Sequence, residues 1–367
     1  MLNTIAQRGT VDATRSILMI GGTQVQFTEW SATHSGVMDA GQFEAKAAAP
    51  FSDWGWWAQQ TEILVDVFVG TPKDPQNYTT DDLTLIMTAR CDSIELDAGA
   101  FEVRLSGRDM SSLLIDNKTT DKWPNLTSSE IAQQIAAQWG FQSQITTTKT
   151  PVGRFYAADH VVLAKADTYW NILNYLAQRE GFQCFVLGKT LYFGKYGAVS
   201  SNDPYVINYD SSANVPVANA ATLKFERDLT LAQDISVTVR SYHGFYGASF
   251  KATATSTKTI KSVEKFARLA QIRQKYDFTI PGLTQPECAL KAQNILQELS
   301  RHELKVEAEL PMDSILFPWV NLQVNGTGTP WDAVYTPMRV TRRMSMDRMT
   351  MEVNAKTGIP QQTVTLS

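Results

Sequence analysis

Apolar and polar residues alternate through much of the first hundred positions, with the two-residue period of a half-buried β-strand. In the run 62–72 the apolar positions are Ile63, Val65, Val67 and Val69. The run 16–30 is also rich in strand formers and is broken by the turn-forming pair Gly21-Gly22. The run 83–109 predicts three short strands separated by polar turns. Strands this closely spaced, with no helix between them, favour a barrel or a sandwich.

A helical period replaces this alternation in the next hundred residues. Thr127 and Glu130 have the spacing of a capping box, which predicts a helix that ends at Gly140. A second helix is predicted from Asp167, taken as its N-cap, to Gly181. These helices lie between two β regions, so they predict a small α+β insertion.

The segment 175–194 ends the second helix and contains the letters GKT, the last three residues of a phosphate-binding loop. Such a loop requires a glycine where this chain has Gln183, and it must join a strand to a helix. Here the pair Gly188-Lys189 separates two strand-like runs. The pattern therefore predicts a two-residue hairpin turn and no nucleotide site.

Strand patterns return in the last part of the chain. They cover 221–244 and four runs after residue 303, and a third helix is predicted for 286–301. The residues close to one face of that helix are Ala289, Ala292, Ile295 and Leu299. The run 251–262, rich in threonine and lysine, is predicted to be an exposed loop. The resulting fold class is mainly β with α+β insertions, arranged as two antiparallel β-barrels and a small inserted unit.

Composition indicates an ordinary folded protein whose main role is not to bind nucleic acid. The chain has 367 residues, more than one compact core usually holds, so two or three domains are expected. A hydrophobic share of 43% excludes a disordered chain. The net charge of −4 and the isoelectric point near 5.7 argue against a nucleic-acid-binding protein.

Cysteine and histidine positions form no recognisable disulfide or metal pattern. The cysteines are Cys91, Cys184 and Cys288, and the histidines are His34, His160, His243 and His302. Three widely separated cysteines favour synthesis in a reducing compartment, the cytoplasm. No apolar run has the length of a signal peptide or of a membrane span, so neither is expected, and no metal or cofactor is predicted.

The run MSMDRMTM (344–351) has closely spaced thioethers, which would suit Cu(I). The alternative is a hairpin strand that buries Met349, Met351 and Val353 while Thr350 and Glu352 face outward. Because no histidine or cysteine lies nearby in the sequence, the strand interpretation is preferred.

The run DWGWW (53–57) contains three tryptophans, Trp54, Trp56 and Trp57, which are the candidate interaction surface of the chain. Exposed tryptophans could stack on sugar rings or fill a partner's pocket. Buried ones would cover one end of a barrel, and this is the favoured alternative because large aromatic residues are mostly buried.

Catalytic chemistry finds little support. Asp159-His160 could be half of a catalytic arrangement, but no GxSxG motif and no recognisable cysteine nucleophile accompanies it. A glycosidase would need two carboxylates brought together by folding, whereas the pair Asp81-Asp82 lies in a polar turn and is more simply solvated. No catalytic residue is assigned, and the chain is expected not to be an enzyme.

The order of these elements resembles the central hub proteins of phage tails. This group includes the Mu-type baseplate hub, the late control D proteins and the head portion of type VI secretion spike proteins. The stretches that carry the resemblance are 101–117, 123–141, 167–194 and 283–301. Each is degenerate, so the likeness rests on their order over residues 16 to 357. The family often has a proline-glycine pair where its last barrel begins, and this chain has Phe317-Pro318-Trp319 there.

The resemblance implies a domain arrangement. It comprises a first tube-like barrel at 1–108, an inserted α+β domain at 109–204, a second tube-like barrel at 205–245 and 303–367, and a loop and helix insertion at 246–302. We also expect the chain to carry neither a lysozyme segment nor a long β-helical spike, which some relatives have fused.

The resemblance also implies a function. The chain would be a structural hub of a contractile phage tail baseplate, assembled in the bacterial cytoplasm and used in genome ejection. A homotrimer would adapt a six-fold tail tube or distal tail protein above to a three-fold spike or needle below, with a tape measure protein as a further partner. DNA would pass through a lumen with more acidic and neutral polar side chains than basic ones. The alternatives are a tail-tip envelope hydrolase and a carbohydrate-binding tail module.

Overall fold

The computed structural model of the chain describes residues 13–36, 39–123, 125–149, 152, 167–195, 203–210, 217–229, 231, 235–244, 247–257, 274–357 and 363–366. These residues form a mainly β structure with a small α+β insertion, which confirms the predicted fold class.

The first part of the chain forms antiparallel strands and one short helix. They are β1 (Arg15–Ile20), β2 (Thr23–Val25), β3 (Phe27–Ser35), β4 (Gln42–Ala48), α1 (Trp54–Gln59), β5 (Leu64–Gly70), β6 (Thr84–Asp97) and β7 (Glu102–Asp109), with 3₁₀ turns at Phe51–Asp53 and Thr80–Asp82. Their order in the sheet is β3-β4-β7-β6-β5-β1-β2. The alternation predicted around β5 is confirmed, because Ile63, Val65, Val67 and Val69 are all buried.

Residues 83–109 form two long strands, so the prediction of three short strands is wrong. β6 continues through its polar middle, where Asp92 is the extra residue of a β-bulge opposite β7. Gly107 permits this close approach, because an added Cβ would overlap the Arg90 carbonyl oxygen and lie 2.7 Å from the Cα of Cys91. A bulge interrupts the apolar alternation just as a turn does, so the sequence pattern alone does not separate the two.

The inserted unit follows β7 directly. Its elements are α2 (Ser112–Asp116), β8 (Lys118–Thr119), α3 (Ser128–Gln138), β9 (Gln142–Ile145), β10 (Asp167–Thr168), α4 (Tyr169–Glu180), β11 (Gln183–Leu187) and β12 (Thr190–Gly194). β12 pairs antiparallel with β11 and parallel with β9, and β8 pairs with β10. A separate core of buried apolar residues from α3, α4 and the β11–β12 hairpin holds this unit together.

Helix ends in the inserted unit follow the capping rules, with one correction. The Thr127–Glu130 capping box at the start of α3 is confirmed. The N-cap of α4 is Thr168, not Asp167 as predicted, because the Thr168 hydroxyl accepts the Asn171 N–H at 3.1 Å. Gly181 ends α4 in the left-handed conformation, with φ of 68°.

The remaining elements build the second half of the main sheet and a smaller sheet. They are β13 (Tyr205–Asp210), β14 (Val217–Ala218), β15 (Thr222–Arg227), β16 (Ile235–His243), β17 (Ala248–Thr257), β18 (Gln274–Thr279), α5 (Gln285–Arg301), β19 (Leu304–Pro311), β20 (Leu322–Asn325), β21 (Val334–Met344), β22 (Met349–Thr357) and β23 (Thr363–Leu366). β15, β19, β22 and β21 pair in that order, and β20, β13 and β14 continue from the first residues of β21.

β21 joins the two halves of the main sheet. Its residues Arg339 to Met344 pair with β3, while its other side pairs with β22. One buried core consequently spans both halves. Representative members of this core are Leu18, Val67, Leu105, Val306, Val340 and Val353.

A four-stranded sheet in the order β18-β16-β17-β23 packs against α5. The expected loop at 251–262 is therefore wrong for 251–257, which belong to β17, and 258–262 lie outside the described residues. Ala252 and Ala254 are buried against α5 between exposed or half-buried polar neighbours, so this run has strand alternation with small residues as its apolar positions.

The proposed second-barrel region 205–245 contains β16, which lies in this smaller sheet and not in the main one. The reason is that Ile235, Val237 and Val239 of β16 face the buried side of α5. The predicted division at 108/109, 204/205, 245/246 and 302/303 otherwise stays a proposal.

Candidate functional surface

Eight strands of the main sheet form one continuous antiparallel region, and one of its faces is the candidate functional surface. The strand order is β6-β7-β4-β3-β21-β22-β19-β15, and every neighbouring pair is antiparallel. Because side chains alternate between faces, one face forms the shared core and the other carries polar residues. We call the second face the polar face.

A trough of about 640 Å³ lies on the polar face where the two halves of the sheet meet. Its acidic residues are Glu29, Glu44, Glu307, Glu309 and Glu352, and its basic residues are Lys46, Arg104, Lys224, Arg343 and Arg348. Five negative and five positive side chains give this trough no net formal charge.

Each basic side chain of the trough lies beside a carboxylate. Arg343 contacts Glu352 at 2.6 Å, and Lys224 lies 4.0 Å from Glu307 directly across from it. The remaining pairs are Lys46 with Glu29, Arg348 with Glu309, and Arg104 with Glu95 at 3.7 Å. Such exposed pairs contribute little to stability, about 0–1 kcal/mol each. Their effect here is that the trough presents no cluster of unpaired cations.

Among the residues that the structure describes, two strand edges are open at the ends of this eight-strand region. Within the described residues, β15 pairs only with β19. β5 pairs with β6 only as far as Arg90, so residues 92–97 of β6 have β7 on one side and no described strand on the other. Open strand edges present unpaired backbone N–H and C=O groups and are sites for strand addition.

The tryptophan cluster lies next to the open edge of β6. Trp57 is buried in the main core, and its ring meets that of Trp56 edge-on at 4.7 Å. The side chain of Trp56 is 47% exposed. The indole N–H of Trp54 donates to the Ala49 carbonyl at 3.0 Å. The three tryptophans thus have different environments: Trp57 is buried, Trp56 is half exposed and Trp54 is hydrogen-bonded to the backbone. Their role as an interaction surface stays a proposal.

The GKT hairpin is confirmed as a turn and has a structural partner that the sequence analysis missed. Gly188 has φ of 58° between the paired strands β11 and β12. Phe185 of this hairpin stacks on Tyr192 at 4.9 Å and on Trp319 at 3.9 Å. Trp319 in turn stacks on Phe317 at 4.8 Å. This aromatic column attaches the inserted unit to the second half of the main sheet.

Arg342 of β21 packs against Phe317, one end of the aromatic column. Its guanidinium lies 4.7 Å from the centre of the Phe317 ring and donates to the carbonyls of Asp313 at 2.7 Å and Leu316 at 2.5 Å. Burial lowers the pKa of Arg342 to about 10, and nearby Asp313 opposes this shift, so the group stays charged at neutral pH. The run Phe317-Pro318-Trp319, which stands where the family often has a proline-glycine pair, supplies two rings of this column. It was the one feature of the sequence that could have indicated the column.

No protein-family model and no curated protein matches the sequence. Solved structures do match. A tail protein from Neisseria meningitidis has a TM-score of 0.66 and 15% identity, over 94% of this chain and 97% of that one. The 43 kDa tail protein of prophage MuSo2 from Shewanella oneidensis has a TM-score of 0.62 and 12% identity, over 94% and 98%. Prophage tail protein gp18 from Listeria monocytogenes has a TM-score of 0.54 and 9% identity, over 94% and 95%.

The chain has the fold of these tail proteins. The expected resemblance to tail proteins is therefore confirmed at the level of fold, and it extends over almost the whole chain.

Other candidate sites of this tail-protein fold are structural where the structure describes them. Met351 and Val353 are fully buried, whereas Thr350 and Glu352 are only half-buried, which confirms the strand interpretation of the methionine run. Met349, also expected to be buried, is half-buried against the core at the start of the strand. Among the described residues, no group of three or more histidine, cysteine or acidic side chains is placed to hold a metal ion. Asp159-His160 lies outside the described residues.

The three cysteines of the tail-protein fold are not activated thiols. They are free, and burial raises the pKa of Cys91 to about 12 and also raises those of Cys184 and Cys288. No described helix is both long and apolar enough to span a membrane.

Proposed function

We propose that the chain is a structural, non-enzymatic hub of a bacteriophage tail baseplate. In this proposal three copies form a ring that adapts a six-fold tail tube to a three-fold spike, and the polar face lines part of the DNA channel. The observation that carries the proposal is the eight-strand sheet. Its trough places each basic side chain beside a carboxylate, and, among the described residues, each of its two end strands has an open edge.

Strand direction supports closure into a ring. Because the eight strands alternate in direction, the first and last run opposite to each other. β15 of one copy would therefore lie antiparallel to β6 of the next, and the same contact repeats from copy to copy. A repeated head-to-tail contact closes into a ring when its rotation fits.

Electrostatics supports the passage of DNA. A row of unpaired lysine and arginine side chains would retain a polyanion by counterion release. The trough instead has equal numbers of acidic and basic groups, each basic one beside a carboxylate. The expected excess of acidic and neutral residues over the whole lumen remains part of the proposal.

The proposed partners follow from the ring. A tail tube or distal tail protein would stack on one rim, a spike or needle protein on the other, and a tape measure protein would contact the lumen. The site in use would be the virion tail, with assembly in the host cytoplasm and a contractile tail as the expected context. The likeness of fold to a tail protein and to a prophage tail protein, each over 94% of this chain, supports this placement.

The test is a substitution at the open edge of β15. The Asp228 N–H donates to Glu303, so alternation directs the N–H of Arg227 away from β19. Arg227→Pro removes this free donor and places a ring on the edge. Arg227→Ala is the matched control, since it removes the same ion pair with Glu303 and keeps the N–H.

We expect sedimentation to show trimers for the wild type and for Arg227→Ala. Arg227→Pro should form trimers at least tenfold more weakly. Equal assembly of all three proteins would refute pairing through this edge. A monomeric wild type would refute the ring.

A further inference from the structure

A groove of about 360 Å³ runs beside the open edge of β6. Trp57 of α1, Ile63 before β5, and Cys91, Ile94 and Leu96 of β6 line its apolar part. The groove follows this edge from Leu96 to Cys91, and its Cys91 end, beside Ile63, lies where β5 stops covering β6. It is therefore positioned to receive whatever follows a strand added to this edge.

An exposed leucine follows the other open edge. Leu229 lies two residues beyond the end of β15 and is 72% exposed. Leu229 is an even number of residues from Leu223 and Phe225, the two β15 residues that pack against the main core. A strand continued to residue 229 would therefore place all three on the same face. Burying a leucine side chain is favourable, so Leu229 is available for an apolar contact with a neighbouring copy.

The two edges match in register. Aligning Phe225 opposite Ile94 places Leu223 opposite Leu96 on the core side. On the polar face the same alignment puts Lys224 opposite Glu95, which are opposite charges. Leu229 then extends past Asp92 towards Cys91 and Ile63, where the groove lies.

We propose that Leu229 of one copy inserts into the groove formed by Trp57, Ile63 and Cys91 of the next copy. Each copy supplies one leucine and one groove. The contact is therefore head-to-tail, and all copies face the same way around the ring. This inference rests on the proposed ring and names the apolar contact that holds it.

Cysteine cross-linking tests the contact at residue resolution. Leu229→Cys places a thiol beside the native Cys91 of the neighbouring copy. On treatment with diamide, two thiols form one disulfide and the two electrons and two protons pass to the diamide. We expect covalent dimers and trimers on a non-reducing gel, and their loss when Cys91→Ser is added.

The matched control is Leu290→Cys, because Leu290 is also an exposed leucine, 56% accessible on α5, and belongs neither to β15 nor to the groove. It should give no covalent trimer. A second pair needs no oxidation: Leu229→Asp should weaken ring assembly at least tenfold, and Leu290→Asp should leave it unchanged.

The outcomes separate this inference from the ring itself. The leucine contact would be overturned, and the ring left standing, if wild-type rings form, Leu229→Cys gives no cross-link to Cys91, and Leu229→Asp assembles equally well. A wild type that stays monomeric would overturn both.

Discussion

Arg342 is the buried charge on which the join between the two sheet halves and the aromatic column both depend. Its donors hold the carbonyls of Asp313 and Leu316, and its cation lies over Phe317. Removing one partner of a buried charged hydrogen-bond network usually costs about 3–5 kcal/mol. The neighbouring Arg343 is exposed and pairs only with Glu352.

We therefore expect Arg342→Ala to lower the free energy of unfolding by about 3 kcal/mol or more. Arg343→Ala, the control on the same strand, should cost less than about 1 kcal/mol. Urea denaturation measures both. Equal costs at the two positions would contradict the role given to Arg342.

His34 predicts a pH dependence of stability. Burial, helped by the charge of Arg342, lowers the pKa of His34 to about 3, and its Nε2 lies 2.8 Å from the Ile86 carbonyl. The folded pKa lies below the unfolded value of about 6.5. The unfolded chain therefore binds the proton first, and stability is lost as pH falls from about 6.5 towards 3.

The comparison with His34→Gln isolates this effect, because glutamine keeps a donor for Ile86 and does not titrate. The wild type should lose stability relative to the variant by about 1.4 kcal/mol per pH unit below about 6.5. Urea denaturation at pH 4.5, 5.5 and 7 measures the difference. A difference that does not change with pH would show that His34 has the same pKa in the folded and the unfolded protein.

At the scale of elements, the close approach of β6 and β7 depends on a single glycine. Any side chain at Gly107 would meet the Arg90 carbonyl and the Cys91 Cα. Gly107→Ala should therefore destabilise the protein by about 1–3 kcal/mol, in the range of other overpacked positions.

Gly55 is the control, since it lies in α1 with open space where its Cβ would be. Gly55→Ala should stabilise by up to about 1 kcal/mol through helix propensity. Thermal unfolding compares the two. Equal effects of the two changes would contradict the role given to Gly107 in the approach of β6 and β7.

The sequence predicted those elements whose pattern is local. β5 and β22 were recoverable from alternation, and α3 from its capping box, because backbone geometry alone sets these periods. β17 was missed because its buried positions are alanines, Ala252 and Ala254, which carry little apolar signal.

Features that depend on distant residues were not recoverable. β21 pairs with β3 across some three hundred positions, and nothing in either strand specifies the other. The aromatic column joins Phe185 to Trp319 in the same way. The polar face was missed as a site for this reason: its charges pair across strands that are far apart in the chain, as Lys224 does with Glu307.

At the scale of the whole molecule, the ring is the central claim. One subunit offers a polar face with a charge-paired trough, and the part of the chain that the structure describes leaves two open edges of opposite direction. The proposal is that identical copies extend the sheet at both ends. Strand pairing and an apolar contact would act together at each junction. The lumen would then be a continuation of a surface already present in the single chain.

Electron microscopy of the purified chain tests this claim most directly. Class averages of the wild type should show rings with three-fold symmetry and a central hole, and Arg227→Pro should not form them. The ring would be contradicted if the wild type gave only single particles without a central hole. The comparison is made at protein concentrations where the wild type and Arg227→Ala give the same class averages.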